Sequence, residues 1–434
     1  MEGSGISCFH SPLYVRTNHV TFDQRMLLIG RENGWINRVV FSYKALEASA
    51  MNDDERVVNS IAGNDGADSN IFLLIENYRI HDRDRVNSIQ YVPDLDMVIS
   101  CSDDRVFFWK FCENSKQLSN TDASPITLFK YYASFKRKSR FFGISVFLPN
   151  IAVVFCEDGT YSTFSLNKET STESECVTIL TSDQSSFETK QPHHKSIPTF
   201  FAKKSNIGSK KLLHIAGHDT NQSLWTLWDD GSIVLLALQK NKFQPWLGRL
   251  RVRSFIEKFK GKHITGIDIS PIRLLTIVMR DNIIIWDAMS DCIFFSVSLQ
   301  NMLENSQYLT SNKTWVTTHP VRYEVWLANN GDISRILLES KELQYVKTIH
   351  GFSFSASNWL SCDASDAIPI LVLGTSDGSL LLIDGRENAQ RLVVKQIEPK
   401  SHSVLCENLF SLLCRREVYL DLTFSFDNER SVLI

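Results

Sequence analysis

The chain has 434 residues, of which 43% are hydrophobic and 11% aromatic, and its formal net charge is −3 at pH 7. A chain of this length and composition can bury a large core, and its small net charge does not by itself demand a polyanionic partner. No apolar run approaches the roughly 18 residues of a membrane span, and the first residues lack the basic and apolar regions of a signal peptide. We therefore expect no membrane insertion and a location in the nucleus or the cytoplasm, with the nucleus slightly favoured.

Seven segments share one pattern, in which a hydrophobic run, a tight polar turn and a second hydrophobic run follow each other. In chain order they span residues 27–41, 97–111, 152–166, 223–238, 274–288, 324–338 and 370–384. The second turn position is held by Gly34, Asp104, Gly159, Gly231, Asn282, Gly331 and Gly378. Asn-Gly and Asp-Gly at such turns favour β-hairpins with positive φ at both central residues. Recurrence at near-regular spacing predicts one supersecondary unit used seven times.

The strands of these hairpins are apolar at consecutive positions, as in Val106–Trp109 and Ile283–Trp286. Such runs are typical of strands that are buried on both faces, which requires sheets stacked face to face. Because an isolated hairpin is only marginally stable, each unit must add strands and pack against its neighbours. The sequence therefore predicts an all-β protein built from stacked repeats.

Two repeats are more complete than the others. One begins at His81 and reaches Trp109 through a Pro-Asp turn, and the other begins at His263 and ends at Trp286-Asp287. This pattern resembles the WD40 repeat, in which a His, a Ser or Thr, an Asp and a Trp form a buried hydrogen-bonded set. The resemblance implies two such structural sets, formed by His81, Ser100 (or Ser102), Asp103 and Trp109, and by His263, Thr276, Asp281 and Trp286.

The resemblance extends over residues 20–390 and implies a single domain, a seven-bladed WD40-type β-propeller spanning residues 1–434. The alternating segment 418–426 predicts a further strand that closes the ring or extends a terminal blade. Two polar insertions, 44–70 and 167–211, are predicted to be surface loops, which either bind partners or carry no function.

Two segments, 129–142 and 240–262, combine basic and aromatic residues. Side chains in them that could contact an acidic partner or nucleic acid are Lys136, Arg137, Lys138, Arg249, Arg251, Arg253, Lys258 and Lys260. The alternation of apolar residues and arginines over 250–253 equally fits an edge strand whose arginines face solvent. Both interpretations stay open.

No motif for phosphate, dinucleotide, metal or nucleophilic chemistry is present, so we expect no catalytic set, no metal site and no cofactor. The resemblance implies a non-catalytic scaffold that holds other protein subunits in an intracellular complex. One alternative is a subunit of a chromatin, transcription or other nuclear complex that contacts nucleic acid through the basic segments. A ubiquitin-ligase substrate receptor is another, although no F-box-like helix is visible. A propeller enzyme is a third, although the starts of the inner strands show no excess of acids and histidines.

Overall fold

The computed structural model describes residues 4–12, 24–42, 56–58, 72–111, 129–136, 139–147, 151–166, 177–182, 211–218, 223–231, 233–241, 244–256, 264–269, 274–279, 282–287, 292–298, 315–319, 322–329, 332–348, 354–360, 369–385 and 391–394. All regular elements in these ranges are β-strands. Within the same ranges there is no helix with the length and apolarity of a membrane span.

The strands are short, as expected for runs of β-branched and aromatic residues bounded by turns. In chain order they are β1 (Ile6–His10), β2 (Gln24–Arg31), β3 (Trp35–Ser42), β4 (Arg56–Val58), β5 (Phe72–Arg79), β6 (Ser88–Val92), β7 (Met97–Cys101), β8 (Arg105–Phe111), β9 (Phe129–Lys136), β10 (Phe141–Phe147), β11 (Ile151–Cys156), β12 (Tyr161–Leu166), β13 (Val177–Ser182), β14 (Leu212–His218) and β15 (Ser223–Trp228). They continue with β16 (Ile233–Asn241), β17 (Gln244–Ile256), β18 (Ile264–Ile269), β19 (Leu274–Met279), β20 (Asn282–Asp287), β21 (Cys292–Ser298), β22 (Trp315–Thr318), β23 (Glu324–Asn329), β24 (Asp332–Leu337), β25 (Glu342–Thr348), β26 (Phe354–Leu360), β27 (Ile370–Thr375), β28 (Leu380–Asp384) and β29 (Arg391–Val394).

In the described part of the chain these strands form seven sheets, which we number as blades 1 to 7 in chain order. Blade 1 has the order β1-β2-β3-β5, and blades 2 to 6 each take the next four strands in sequence. Blade 7 has the order β26-β27-β28-β29-β4. Sequential strands pair antiparallel within every blade, so each blade is a meander with its first strand at one edge and its last at the other.

The first strands of the blades contact each other around a closed ring. β1 lies against β6, β6 against β10, β10 against β14, β14 against β18, β18 against β22 and β22 against β26. β26 in turn contacts β1, so the last blade lies against the first. The predicted β-propeller is therefore confirmed, with the first strand of each blade innermost, and the seven described sheets are consistent with the predicted seven blades.

One short strand joins the two ends of the ring in an unexpected way. β4 belongs to the insertion 44–70 of blade 1, yet it pairs in parallel with β29 of blade 7, with Val57 opposite Val393. The sequence predicts a loop here, but the β-branched pair Val57–Val58 favours an extended strand. The predicted strand 418–426 lies outside the described residues.

The turns between second and third strands differ in detail from the prediction. In four of them the loop has three residues, and only its last residue, a glycine, has positive φ: Gly34 (84°), Gly159 (79°), Gly231 (76°) and Gly378 (88°). The Asn or Asp before each glycine keeps negative φ. At Asp158 and Asp377 the carboxylate instead accepts the backbone N–H two residues further on, at 3.0 and 3.2 Å. These are type I turns followed by a glycine bulge, which need left-handed backbone at one position only.

Hydrophobic clusters fill the spaces between successive blades. Between blades 4 and 5, for example, Trp225 and Leu227 pack with Ile277 and Trp286. Each fully buried side chain of this size contributes about 1.5–3 kcal/mol through removal from water. Because both faces of a blade are used, the consecutive apolar residues seen in the sequence are explained.

Candidate functional site

The hydrogen-bonded set implied for the first complete repeat forms in part. His81 Nε2 lies 2.8 Å from Ser100 Oγ, and Trp109 Nε1 donates to the same oxygen at 3.1 Å. All three residues are buried. Ser102, the alternative to Ser100, instead donates to Asp104 at 3.5 Å. Ser100 therefore links the strand β7 to the incoming loop and to β8.

Asp103, the expected fourth member, makes other contacts. Its carboxylate accepts hydrogen bonds from Asn87 at 2.8 Å and from Arg140 at 2.6 Å, and His81 Nδ1 has no partner. Partial burial raises the pKa of Asp103, but the bonds from Asn87 and Arg140 outweigh it and hold the pKa below its usual value. Asp103 lies at the exposed end of the turn, where it joins blade 2 to blade 3 rather than completing the buried set.

The second set does not form as expected. His263 and Asp281 lie outside the described residues. Thr276 and Trp286 are buried, but neither Thr276 Oγ1 nor Trp286 Nε1 has a hydrogen-bond partner. The Trp-Asp dipeptide thus lies on the expected strand, but the Trp286 indole does not donate the hydrogen bond that the resemblance implies.

Strand register explains the difference between the two repeats. In blade 2, Trp109 pairs with the residue two positions before Ser100, so both side chains project from the same face. In blade 5, Trp286 pairs with Leu275, which directly precedes Thr276. Adjacent residues of a strand face opposite sides, so Trp286 packs toward blade 4 while Thr276 faces blade 6.

This contrast predicts opposite outcomes for two similar substitutions. Ser100→Ala removes the shared acceptor of two buried groups and should lower the free energy of unfolding by about 1–3 kcal/mol. Thr276→Val removes a buried hydroxyl that has no partner, so stability should stay within about 0.5 kcal/mol or rise. Urea unfolding of both variants measures the difference. A larger loss for Thr276→Val than for Ser100→Ala would contradict the assigned register.

Other buried or half-buried polar groups join neighbouring blades near the inner strands. Ser7 Oγ donates to the carbonyl of Val86 at 2.6 Å, between blades 1 and 2. Asp268 accepts the backbone N–H of Thr318 at 2.6 Å, between blades 5 and 6. Ser355 Oγ donates to the carbonyl of Ile6 at 2.5 Å, which joins blade 7 to blade 1. These polar side chains hold the frame together.

Two buried histidines, His81 and His319, and the half-buried His10 predict an acid-sensitive fold. Burial lowers the pKa of His81 to about 3 and that of His10 to about 4, and burial with Arg322 and Arg335 lowers the pKa of His319 to about 4. An unfolded histidine takes up its proton near pH 6.5. The contribution of the neutral histidines to the free energy of unfolding is therefore fully present above that pH and is lost as the pH falls toward 4. Each histidine should contribute up to about 1.4 kcal/mol per pH unit in that window.

Urea midpoints measured from pH 7 to pH 4 test this prediction. His10 Nε2 has no hydrogen-bond partner, so His10→Phe should reduce the pH dependence without removing a bond. An unfolding free energy that is constant across the window in the wild type would exclude the histidines as its source.

Comparison with known proteins agrees with this architecture. No protein-family model and no curated protein matches the chain. Sqt1 from Chaetomium thermophilum, solved bound to the N-terminus of the ribosomal protein L10, is similar in structure, with a TM-score of 0.50 and 13% identity over 89% of this chain and 86% of that chain. The fold is that of a β-propeller. The β-propeller domain of Cps50 (Swd1) from Myceliophteria thermophila has a TM-score of 0.47 and 11% identity over 86% of this chain and 93% of that chain.

The first basic segment of the propeller is partly neutralised by its own neighbours. Lys136 Nζ lies 3.5 Å from a carboxylate oxygen of Asp104. Arg140 contacts Asp103 at 2.6 Å and Glu157 at 3.9 Å, and the bond to Asp103 raises the pKa of Arg140. Lys136 therefore pairs within blade 2, and Arg140 bridges blades 2 and 3 at the turn face, the face that carries the turns between second and third strands. Arg137 and Lys138 lie outside the described residues.

The described part of the second basic segment includes β17, the outermost strand of blade 4. Arg249, Arg251 and Arg253 all lie on β17, the outermost strand of that blade, whose side chains are not described. Lys258 and Lys260 lie beyond the described part of β17. The expected edge strand is present, and it holds the three arginines far from the inner ring.

The structure contains one buried polar cluster that the sequence patterns do not predict. Arg38 on β3 and Glu76 on β5 form an ion pair at 2.9 Å, and the Tyr78 hydroxyl donates to Glu76 at 2.7 Å. The Arg38 guanidinium also lies 4.2 Å from the ring centroid of Phe111 in blade 2. The only sequence feature that could indicate this cluster is a charged residue inside each of two apolar runs.

Proposed function

We propose that this protein is a non-catalytic scaffold that holds other protein subunits of an intracellular complex. The observation that carries the proposal is the closed ring, in which described polar groups bond one blade to the next. Such a frame presents loops at fixed positions on two faces and a rim, so several partners can bind at once. The nucleus or the cytoplasm is the expected location, and a fluorescently tagged chain would distinguish them.

The similarity to Sqt1 supports this proposal at the level of the fold. That propeller was solved with the N-terminus of the ribosomal protein L10 bound to it. We propose a comparable role for this chain, in which a segment of a partner protein docks on a face or a long loop of the ring.

Partner contacts are expected at the two insertions or at the segment 240–262. The test is mass spectrometry of complexes purified through tagged variants. Because 56–58 and 177–182 form strands, the variants should shorten only residues 44–55 and 59–70, or 183–210, and leave those strands in place. We expect at least one variant to lose specific partners while its thermal unfolding stays unchanged. Identical partner sets for both loop variants and for a charge-neutralised 240–262 would contradict the proposal.

The alternative, contact with nucleic acid, makes a separate prediction. Since Lys136 and Arg140 already face carboxylates, we expect no salt-dependent mobility shift with DNA or RNA at physiological ionic strength. The wild-type chain is compared with a variant in which Arg249, Arg251 and Arg253 are replaced by glutamate. A shift that weakens steeply with salt and disappears in this variant would favour the nucleic-acid role instead.

A further inference from the structure

The junction between blades 7 and 1 differs from the other six in the order of the chain. At those six, the described strands pass from the outermost strand of one blade to the innermost strand of the next, as from β9 to β10 or from β17 to β18. The chain itself therefore ties the rim of each of these blades, where the outermost strands lie, to the following blade. β29 of blade 7 comes after β1 of blade 1 in sequence, so a linker of this kind is impossible at the seventh junction.

The inner part and the turn face of this junction are closely packed. A Cβ on Gly374 of β27 would lie 2.6 Å from Ile6 Cγ2 and 2.8 Å from Phe9 Cζ. At the turn face, a Cβ on Gly378 would lie 2.7 Å from the carbonyl oxygen of Ser4. These approaches hold the first described residues of the chain against blade 7, but they involve its second strand and its turn rather than its rim.

At the rim, the short strand β4 connects the two blades. It lies between β3 and β5 of blade 1 in sequence, yet residues 56–58 pair in parallel with residues 392–394 of β29. Blade 1 has four strands without β4, and blade 7 has four before β4 is added. Neither blade therefore needs β4 to complete its sheet, and what β4 adds is a connection between them.

This pairing is short enough to be reversible. A backbone hydrogen bond contributes about 1 kcal/mol net, whereas ordering one residue costs about 1–2 kcal/mol, so a separate peptide of three residues would not stay paired. β4 is held near its position by β3 and β5, which makes the pairing an intramolecular step. β4 can thus join β29 or leave it while the four sequential strands of each blade stay in place.

We propose that β4 is a releasable strap that closes the ring at its rim and replaces the chain linker of the other six junctions. While β4 is paired with β29, the outer part of blade 7 is tied to blade 1 as well as to blade 6. Release of β4 leaves blade 7 attached to blade 1 through its inner strands and its turn only. This inference is independent of the proposed scaffold role.

Hydrogen exchange of the full chain, measured by mass spectrometry, tests the strap. Val57→Pro combined with Val58→Pro removes two neighbouring N–H groups, one of which faces β29, because alternate residues of a strand point to the same side. Amides of β29, and also those of β26 and β27, should then exchange at least about tenfold faster than in the wild type, because blade 7 has lost one support. Amides of β15 in blade 4, on the far side of the ring, should not change.

The matched control is Ala62→Pro combined with Gly63→Pro, which places the same two prolines in the same insertion but outside β4. It should exchange like the wild type. Should the first proline variant not fold, Val57→Gly combined with Val58→Gly takes its place, since glycine weakens a strand without blocking it.

Three results would overturn the proposal. Unchanged exchange of β29 would mean that β4 does not hold this strand. Faster exchange of β29 with β26 and β27 unchanged would mean that β4 covers an edge of blade 7 without closing the ring. Equal acceleration in the control would mean that the effect comes from the insertion as a whole and not from the strap.

Discussion

Replacing Glu76 by alanine should lower the free energy of unfolding by about 3–5 kcal/mol, because it leaves the Arg38 guanidinium buried without its counter-charge. The side chains of both residues are only 7% exposed. Glu76 also accepts the hydroxyl of Tyr78, whose pKa is raised by burial and then by Glu76, so that the phenol stays protonated and donates. One substitution therefore removes the partner of two buried groups between blades 1 and 2.

A double substitution distinguishes the loss of a partner from a loss of packing. Arg38→Met combined with Glu76→Leu removes both charges and keeps the volume, so it should recover most of the stability lost in Glu76→Ala. Glu76→Gln keeps an acceptor for Tyr78 and should lie between the two. Urea unfolding provides the measurement. A loss under about 1 kcal/mol for Glu76→Ala would mean that Arg38 reaches water when its partner is removed.

Trp109→Ala should cost about 3–5 kcal/mol, because Trp109 is one of the largest fully buried side chains and its removal leaves a cavity. Its ring lies 5.1 Å from Tyr78, 5.3 Å from Phe111 and 5.8 Å from Phe129 between centroids. The substitution also deprives Ser100 of its indole donor. Loss of packing and loss of the hydrogen bond thus act in the same direction.

Substitution to phenylalanine isolates the hydrogen bond. Trp109→Phe loses a bonded indole N–H, whereas Trp286→Phe loses one that has no partner, so the first should be more destabilising. Both rings are buried and both stack edge to face on another aromatic ring, Phe111 and Trp225 respectively, which makes Trp286 a matched control. Equal losses in the two variants would indicate that the bond to Ser100 contributes nothing to stability.

The sequence predicts the architecture well because the signal is repeated. Turn glycines, consecutive apolar residues and regular spacing all follow from a hairpin that must be buried on both faces, and the seven blades bear this out. The type of turn between the second and third strands is harder to predict from the sequence. Asn-Gly and Asp-Gly fit a two-residue loop as well as a three-residue loop, and pairing of the flanking strands decides between them.

The hydrogen-bonded sets show where sequence matching is limited. A shift of one residue in strand pairing reverses which face a side chain occupies, and Thr276 with Trp286 differs from Ser100 with Trp109 by such a shift. Spacing along the chain does not reveal it. The Arg38–Glu76 pair could not be predicted from the sequence for another reason, since an insertion separates the two strands that bring these residues together.

Circular closure has a consequence for how the molecule loses its structure. An open array of repeats has two terminal units, each supported on one side only, and unfolding commonly starts there. Here the first and last blades support each other through Ser355 and Ile6, and β4 adds a second connection. No blade is terminal, so melting of any one exposes two apolar interfaces at once. We therefore expect a single cooperative transition in place of fraying.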